Sequence, residues 1–220
     1  MENIQTKNTR IRKSVDASYI SKGISYEEYR RMIDAFIMIG KSTAKKDSEN
    51  LLEYSRLNVV RMNRLDKTIE LIPELKEMVE RIDAPQTWIV LTEGWCGDAA
   101  QTVPVLDKIS KLNSNIELKF LLRDDNLELM DEYLTNGKSR SIPKLIAIDE
   151  NNEELFNWGP RPKTLQETFY HMKANAISND TIKEEMHKWY AKDKTVTAQK
   201  EISELMKQVC KSCIEEKKVA

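Results

Sequence analysis

Between Thr87 and Pro104 the chain reads TWIVLTEGWCGDAAQTVP, and the change of pattern inside this stretch limits the folds open to it. The run Trp88-Ile89-Val90-Leu91 is apolar, rich in β-formers and too short for a helix, the mark of a buried strand. Gly94 breaks that strand. Beyond Cys96-Gly97-Asp98 the apolar residues fall at Val103, Leu106, Ile109 and Leu112, three apart, which is one face of a helix. Cys96 therefore stands where a buried strand stops and a helix begins. A thiol there meets the positive end of the helix dipole and its unpaired N–H groups, which bring thiol pKa values down to roughly 3.5–7.5. Cys96 is the expected catalytic residue. Asp98, in the first helical turn, is stabilised by the same dipole, yet close to Cys96 its charge opposes the thiolate. The sequence leaves open which influence wins.

The flanks extend the pattern on both sides. Ser25 and Glu28 form a capping box ahead of Tyr26, Tyr29, Ile33, Phe36 and Ile37 at helical spacing, and Gly40 suits the C-terminal end. A second helix is expected over 49–65, with Ser48 as a possible cap. A third opens at Pro73 and carries Leu75, Met78, Val79 and Ile82. Residues 1 to about 24 are polar and lack periodicity, so they are expected to be frayed or extended. After the central helix, 116–122 reads as a strand parallel to the first. A helix over 126–134 follows, then strands 143–148 and 153–158 joined as an antiparallel hairpin, then a helix with Thr164 and Glu167 as a capping box. In the tail, Thr181 and Glu184 can cap a helix ending near Tyr190, and Ile202, Leu205, Met206, Val209 and Cys213 form an apolar stripe on a last one. The order is βαβαββα, flanked by helical extensions over 1–84 and 177–220 around a central domain at 85–176.

Charged residues make up 32% of the 220-residue chain, and the net charge is −1. A balanced surface gives no electrostatic case for nucleic acid or an anionic membrane. No apolar stretch approaches membrane-span length, and the N-terminus has no apolar core of the kind a signal peptide needs. Three cysteines do not make a secreted disulfide framework, so a reducing cytoplasm is the simplest expectation.

At Trp95-Cys96-Gly97, with Pro104 eight residues after the cysteine and Ile142-Pro143 ahead of the run Leu145-Ile146-Ala147-Ile148, the chain resembles the thioredoxin superfamily. The resemblance implies a three-layer α/β thioredoxin-like fold and a cis-proline loop placed against the active cysteine. It makes Trp95, Ile142 and Pro143 substrate-facing. The sequence departs from the family pattern twice: Ala99 replaces the second cysteine, and Val90 stands where the family has a buried acid, six residues before the first cysteine.

Ala99 determines the expected chemistry. The second cysteine of a dithiol site resolves the mixed disulfide formed by the first, and alanine cannot. Cys210 and Cys213 are the only other thiols and so the only internal candidates for that step. However, they fall late in a helix, where the dipole disfavours thiolates, and packing is the favoured reading for both. His171 and His187 have no metal-ligand spacing, and no cofactor is called for. The loop Trp158-Gly159-Pro160-Arg161-Pro162 reads as a rigid connection or a recognition edge. Two functions remain. One is monothiol redox chemistry, with Cys96 forming mixed disulfides with protein or low-molecular-weight thiols. The other is a thioredoxin-fold binding module without turnover.

Overall fold

The computed structural model describes residues 13–46 and 48–210. Four strands, β1 (Gln86–Thr92), β2 (Ile116–Leu122), β3 (Lys144–Ile148) and β4 (Glu154–Trp158), form one sheet in the order β2-β1-β3-β4. β1 runs parallel to β2 with Val90 opposite Phe120, and antiparallel to β3 with Val90 opposite Leu145. Trp88, Ile89, Val90 and Leu91 have no exposed surface. Successive strand residues point to opposite faces, so both faces of the sheet are covered.

The helices are α1 (Ala17–Lys22), α2 (Tyr26–Met38), α3 (Glu49–Thr68), α4 (Pro73–Glu80), α5 (Gly97–Ser110), α6 (Leu127–Asp131), α7 (Lys163–Ala174), α8 (Asn179–Asp193) and α9 (Val196–Val209). α5 is the crossover that makes β1 and β2 parallel, and α3 packs along it. α2 opens with both halves of the Ser25–Glu28 capping box. Its Tyr29 stacks on Phe120 at 5.1 Å and shares a 3.2 Å hydrogen bond with Thr92 on the floor of the sheet. α9 is tied to the chain ahead of α4 through Gln199, which donates to Glu70 O and accepts from Ile72 N. A single apolar cluster runs from Val15 to Met206, and a smaller one joins Leu165 of α7 to Ile182, Met186 and Tyr190 of α8. Among the described residues no helix is long and apolar enough to cross a membrane.

Several local expectations are corrected. Residues 13–24 are neither frayed nor simply extended. Ser14 pairs with Glu153 beside β4, Val15 is buried, α1 is capped by Asp16, and Ile24 exchanges two backbone hydrogen bonds with Phe120 of β2. The arm therefore reaches both edges of the sheet. α6 is shorter than 126–134, because Thr135 pairs with Ser139 and Asn136 and Gly137 turn the chain at positive φ. Thr164 does not cap α7. Pro162 precedes the helix and the first N–H, from Lys163, is taken by the Glu201 carboxylate at 2.7 Å. Ser178, accepting from Thr181 N, caps α8 in place of Thr181. Ser48 stands at the α3 N-terminus but makes no side-chain cap.

The loop after β4 folds directly onto Pro143. A Cβ at Gly159, where φ is +114°, would lie 2.2 Å from Pro143 O, so only glycine fits. The Ile142–Pro143 and Gly159–Pro160 peptide bonds are both cis. This close approach carries Arg161 toward the N-terminus of α5.

Candidate functional site

Cys96 is the N-cap residue of α5. Its Sγ accepts from Ala99 N at 3.5 Å and donates to Ile142 O at 3.3 Å, and its own N–H is held by Glu93 O at 3.1 Å. The residue is only 8% exposed. Burial first, and the Asp98 carboxylate second, push the thiol up to about 12, against the lowering influence of the Ala99 and Asp98 N–H groups and of Arg161. A helix end is worth at most about 2 kcal/mol, roughly thirtyfold in thiolate population. It does not offset removal of the sulfur from water. Of the two opposing influences that the sequence leaves open, the helix end is the weaker here, and burial together with Asp98 keeps the thiol protonated at neutral pH.

Asp98 is the hub of the surrounding polar contacts. Arg161 Nε donates to its carboxylate at 3.0 Å and Tyr190 Oη at 2.7 Å, with the Asp98 and Arg161 side chains only 11% and 12% exposed. The proline-rich loop and α8 thus meet at the first turn of α5. Gly97 lies under two more groups: a methyl added there would stand 3.2 Å from His187 Cε1 and 3.7 Å from Arg61 Nη1. Burial brings His187 down to about 4, so its ring is neutral near pH 7, and its buried Nδ1 has no hydrogen-bond partner. Trp95 is partly buried under the Arg123 guanidinium, 5.1 Å from the ring. Ala99 is buried. Ile142 and Pro143 are also buried, and Ile142 lines the cavity above the thiol.

That cavity holds about 550 Å³ and is walled by α3 on one side and by α7 and α8 on the other. Sequence alone does not bring Arg61, His187 and Tyr190 to the thiol, and Arg161 stands out only as part of the proline-flanked loop. They lie on distant elements and meet only through the fold. The one available signal was an arginine pinned between two prolines.

Glu93 is a further omission. The reading places a valine where a buried acid belongs, and Val90 is indeed apolar and buried. Three residues on, Glu93 also has no exposed surface. It accepts from the Thr43 hydroxyl and from Asp124 N at 3.0 Å, and burial raises its carboxyl to about 7. A buried acid therefore lies three residues ahead of Cys96, with its carboxyl turned to Thr43 and the Asp124 backbone and not among the residues that line the cavity.

Cys210 is corrected as a resolving thiol. It is disulfide-bonded and lines a pocket with Gln86, the first residue of β1, whereas Cys96 follows the other end of that strand, about 20 Å away along it. Cys213 lies outside the described residues. Among the described residues no group of three or more His, Cys, Asp or Glu side chains is placed to hold a metal ion.

A family model described as thioredoxin matches residues 44–176, which takes in α3 and α4 along with the sheet. Among solved structures, a Pseudomonas aeruginosa protein of unknown function is similar at 20% identity and a TM-score of 0.52, over 81% of this chain and 96% of that one. An HIV epitope-scaffold is similar at 20% identity and a TM-score of 0.47, over 76% and 96%. No curated protein matches the chain.

Proposed function

The chain belongs to the thioredoxin family, and from that premise we propose that it is a single-cysteine thiol-exchange protein working through Cys96. Cys96 loses its proton to solvent and attacks a disulfide. The old S–S bond breaks, one half leaves as a thiol, and the other half stays bound to Cys96. The Cys96 thiol is oxidised and one sulfur of the disulfide is reduced. With Ala99 one turn along, the adduct waits for an external thiol. The observation that supports this reading is the sulfur at the α5 N-terminus, on the floor of a cavity, with backbone N–H groups aimed at it. The partners are low-molecular-weight or protein thiols and disulfides.

A specific observation favours the second reading, a binding module without turnover: the buried thiol is held protonated and donates to Ile142 O. The two readings separate on intact mass after incubation with 2-hydroxyethyl disulfide. Wild type should gain one mixed disulfide that Cys96→Ser does not, and added thiol should remove it. Ala99→Cys should then form an internal disulfide and gain insulin-reductase activity. A wild-type chain that stays unmodified while unfolded chain reacts would sink the exchange reading and leave the binding module.

A further inference from the structure

We propose that the cavity above Cys96 is a binding site for a small organic anion, a carboxylate-bearing disulfide or thiol, with Arg61 and Lys173 as its carboxylate-binding groups. The proposal rests on the thiol-exchange reading for its chemistry, but its binding half can be tested separately.

The lining is strongly one-sided in charge. Arg61, Arg123, Arg140, Arg161, Lys173 and Lys183 face one carboxylate, Asp98. Arg161 is paired with that carboxylate. Arg123, Arg140 and Lys183 are paired with Asp124, Asp131 and Asp180, none of which lines the cavity. Arg61 and Lys173 have no acid partner among the described residues. Arg61 donates to Asn58 Oδ1 at 2.9 Å and Lys173 to Asn179 Oδ1 at 2.6 Å. A neutral amide oxygen satisfies a single N–H group of Arg61 and leaves its charge without a counter-ion, while Lys173 is exposed, with its Nζ 5.8 Å from the Phe169 ring, and is free to turn toward a ligand carboxylate.

Arg61 is the sharper case. It is partly buried, it lies over Gly97 beside the reactive sulfur, and its desolvation lowers its pKa. A half-buried guanidinium without a counter-ion is costly, and a bidentate carboxylate is the group that best relieves it. His187 adds a second unfilled position, since its Nδ1 is buried with no partner.

The size and walls indicate a small molecule. Ligand cavities run from about 300 to 1,000 Å³, and this one is about 550 Å³. Leu51, Phe169, Ile182 and Met186 supply apolar surface between the cations. An extended peptide would compete for Ile142 O, which already accepts from the Cys96 thiol. The exchange balances as before: the anionic disulfide leaves one half on Cys96 and releases the other as a thiol.

The test compares three disulfides of different charge on the full chain: oxidised glutathione, neutral 2-hydroxyethyl disulfide and cationic cystamine. Formation of the Cys96 adduct is followed by intact mass, and each rate is divided by that of the same disulfide with a simple alkyl thiol. Oxidised glutathione should lead cystamine by at least about tenfold at low salt, and the gap should close toward parity at about 0.5 M salt, where the screening length is a few ångströms. This arm needs no variant to fold. Arg61→Gln and Lys173→Ala should each slow the glutathione reaction by about tenfold, as expected for one charge-assisted contact, and slow it more than they slow the 2-hydroxyethyl disulfide reaction. Equal normalised rates, or faster reaction with cystamine, would overturn the anion site. If no disulfide reacts, the exchange reading fails by itself, and calorimetry with unreactive S-methylglutathione decides the site: binding that Arg61→Gln weakens upholds it, and no binding to wild type overturns it.

Discussion

Glu93 shows how a single side chain escapes a reading from sequence. It follows an apolar strand and precedes Gly94, so it looks like the first polar residue outside the core. Its burial comes from elsewhere: Thr43 and the backbone of Asp124 close over it from two distant loops. The consequence is a pH-dependent stability with a definite sign. Below the ordinary value of 4.5 both folded and unfolded chains hold the proton, and this contribution to stability is fully present. As pH rises toward the folded value of about 7, the unfolded chain ionises first and stability falls, by up to about 3 kcal/mol. Glu93→Gln keeps the shape and removes the titration. The difference in urea midpoint between variant and wild type should therefore grow in the variant's favour from pH 5 to pH 8, and a difference that stays constant would place the carboxyl in water. Cys96 was legible as the residue at the head of α5 because a period change from strand to helix brackets it. Its protonation was not, because that depends on what covers the sulfur.

At the scale of elements, α5 and the sheet were readable from periodicity, but the cover over the site was not. α8 carries its own weak pattern in sequence, and nothing local says that Tyr190 will reach Asp98. The interaction joins α8 to α5 and completes one wall above the thiol. Tyr190→Phe removes the hydroxyl and leaves the ring. It should cost about 1.5–3 kcal/mol, the range for a hydrogen bond to a charged group. It should also raise the rate of Cys96 alkylation by iodoacetamide at neutral pH. In wild type that rate should climb about tenfold per pH unit from pH 7 to 10, as for a thiol pushed up to about 12. A plateau below pH 9, or a Tyr190→Phe rate equal to wild type, would detach α8 from control of the sulfur.

The whole molecule depends on a segment that the sequence gives no reason to value. Residues 13–24 lack a hydrophobic period, and their partners sit on strands far along the chain, so no local pattern could announce them. Ile24 pairs with β2 and Ser14 with the start of β4, the two outer strands of the sheet. Removing residues 1–24 bares part of both edges and uncovers the core contact made by Val15. The shortened chain should melt at lower temperature and associate on concentration, measured by calorimetry and light scattering; an unchanged melting temperature and a monomeric profile would show the arm to be dispensable. The same pairing sets a clock on biosynthesis. Glu153 emerges roughly 140 residues after Ser14, which at about 5–20 residues per second is on the order of ten to thirty seconds. Ser14 is therefore made long before the strand end that it pairs with.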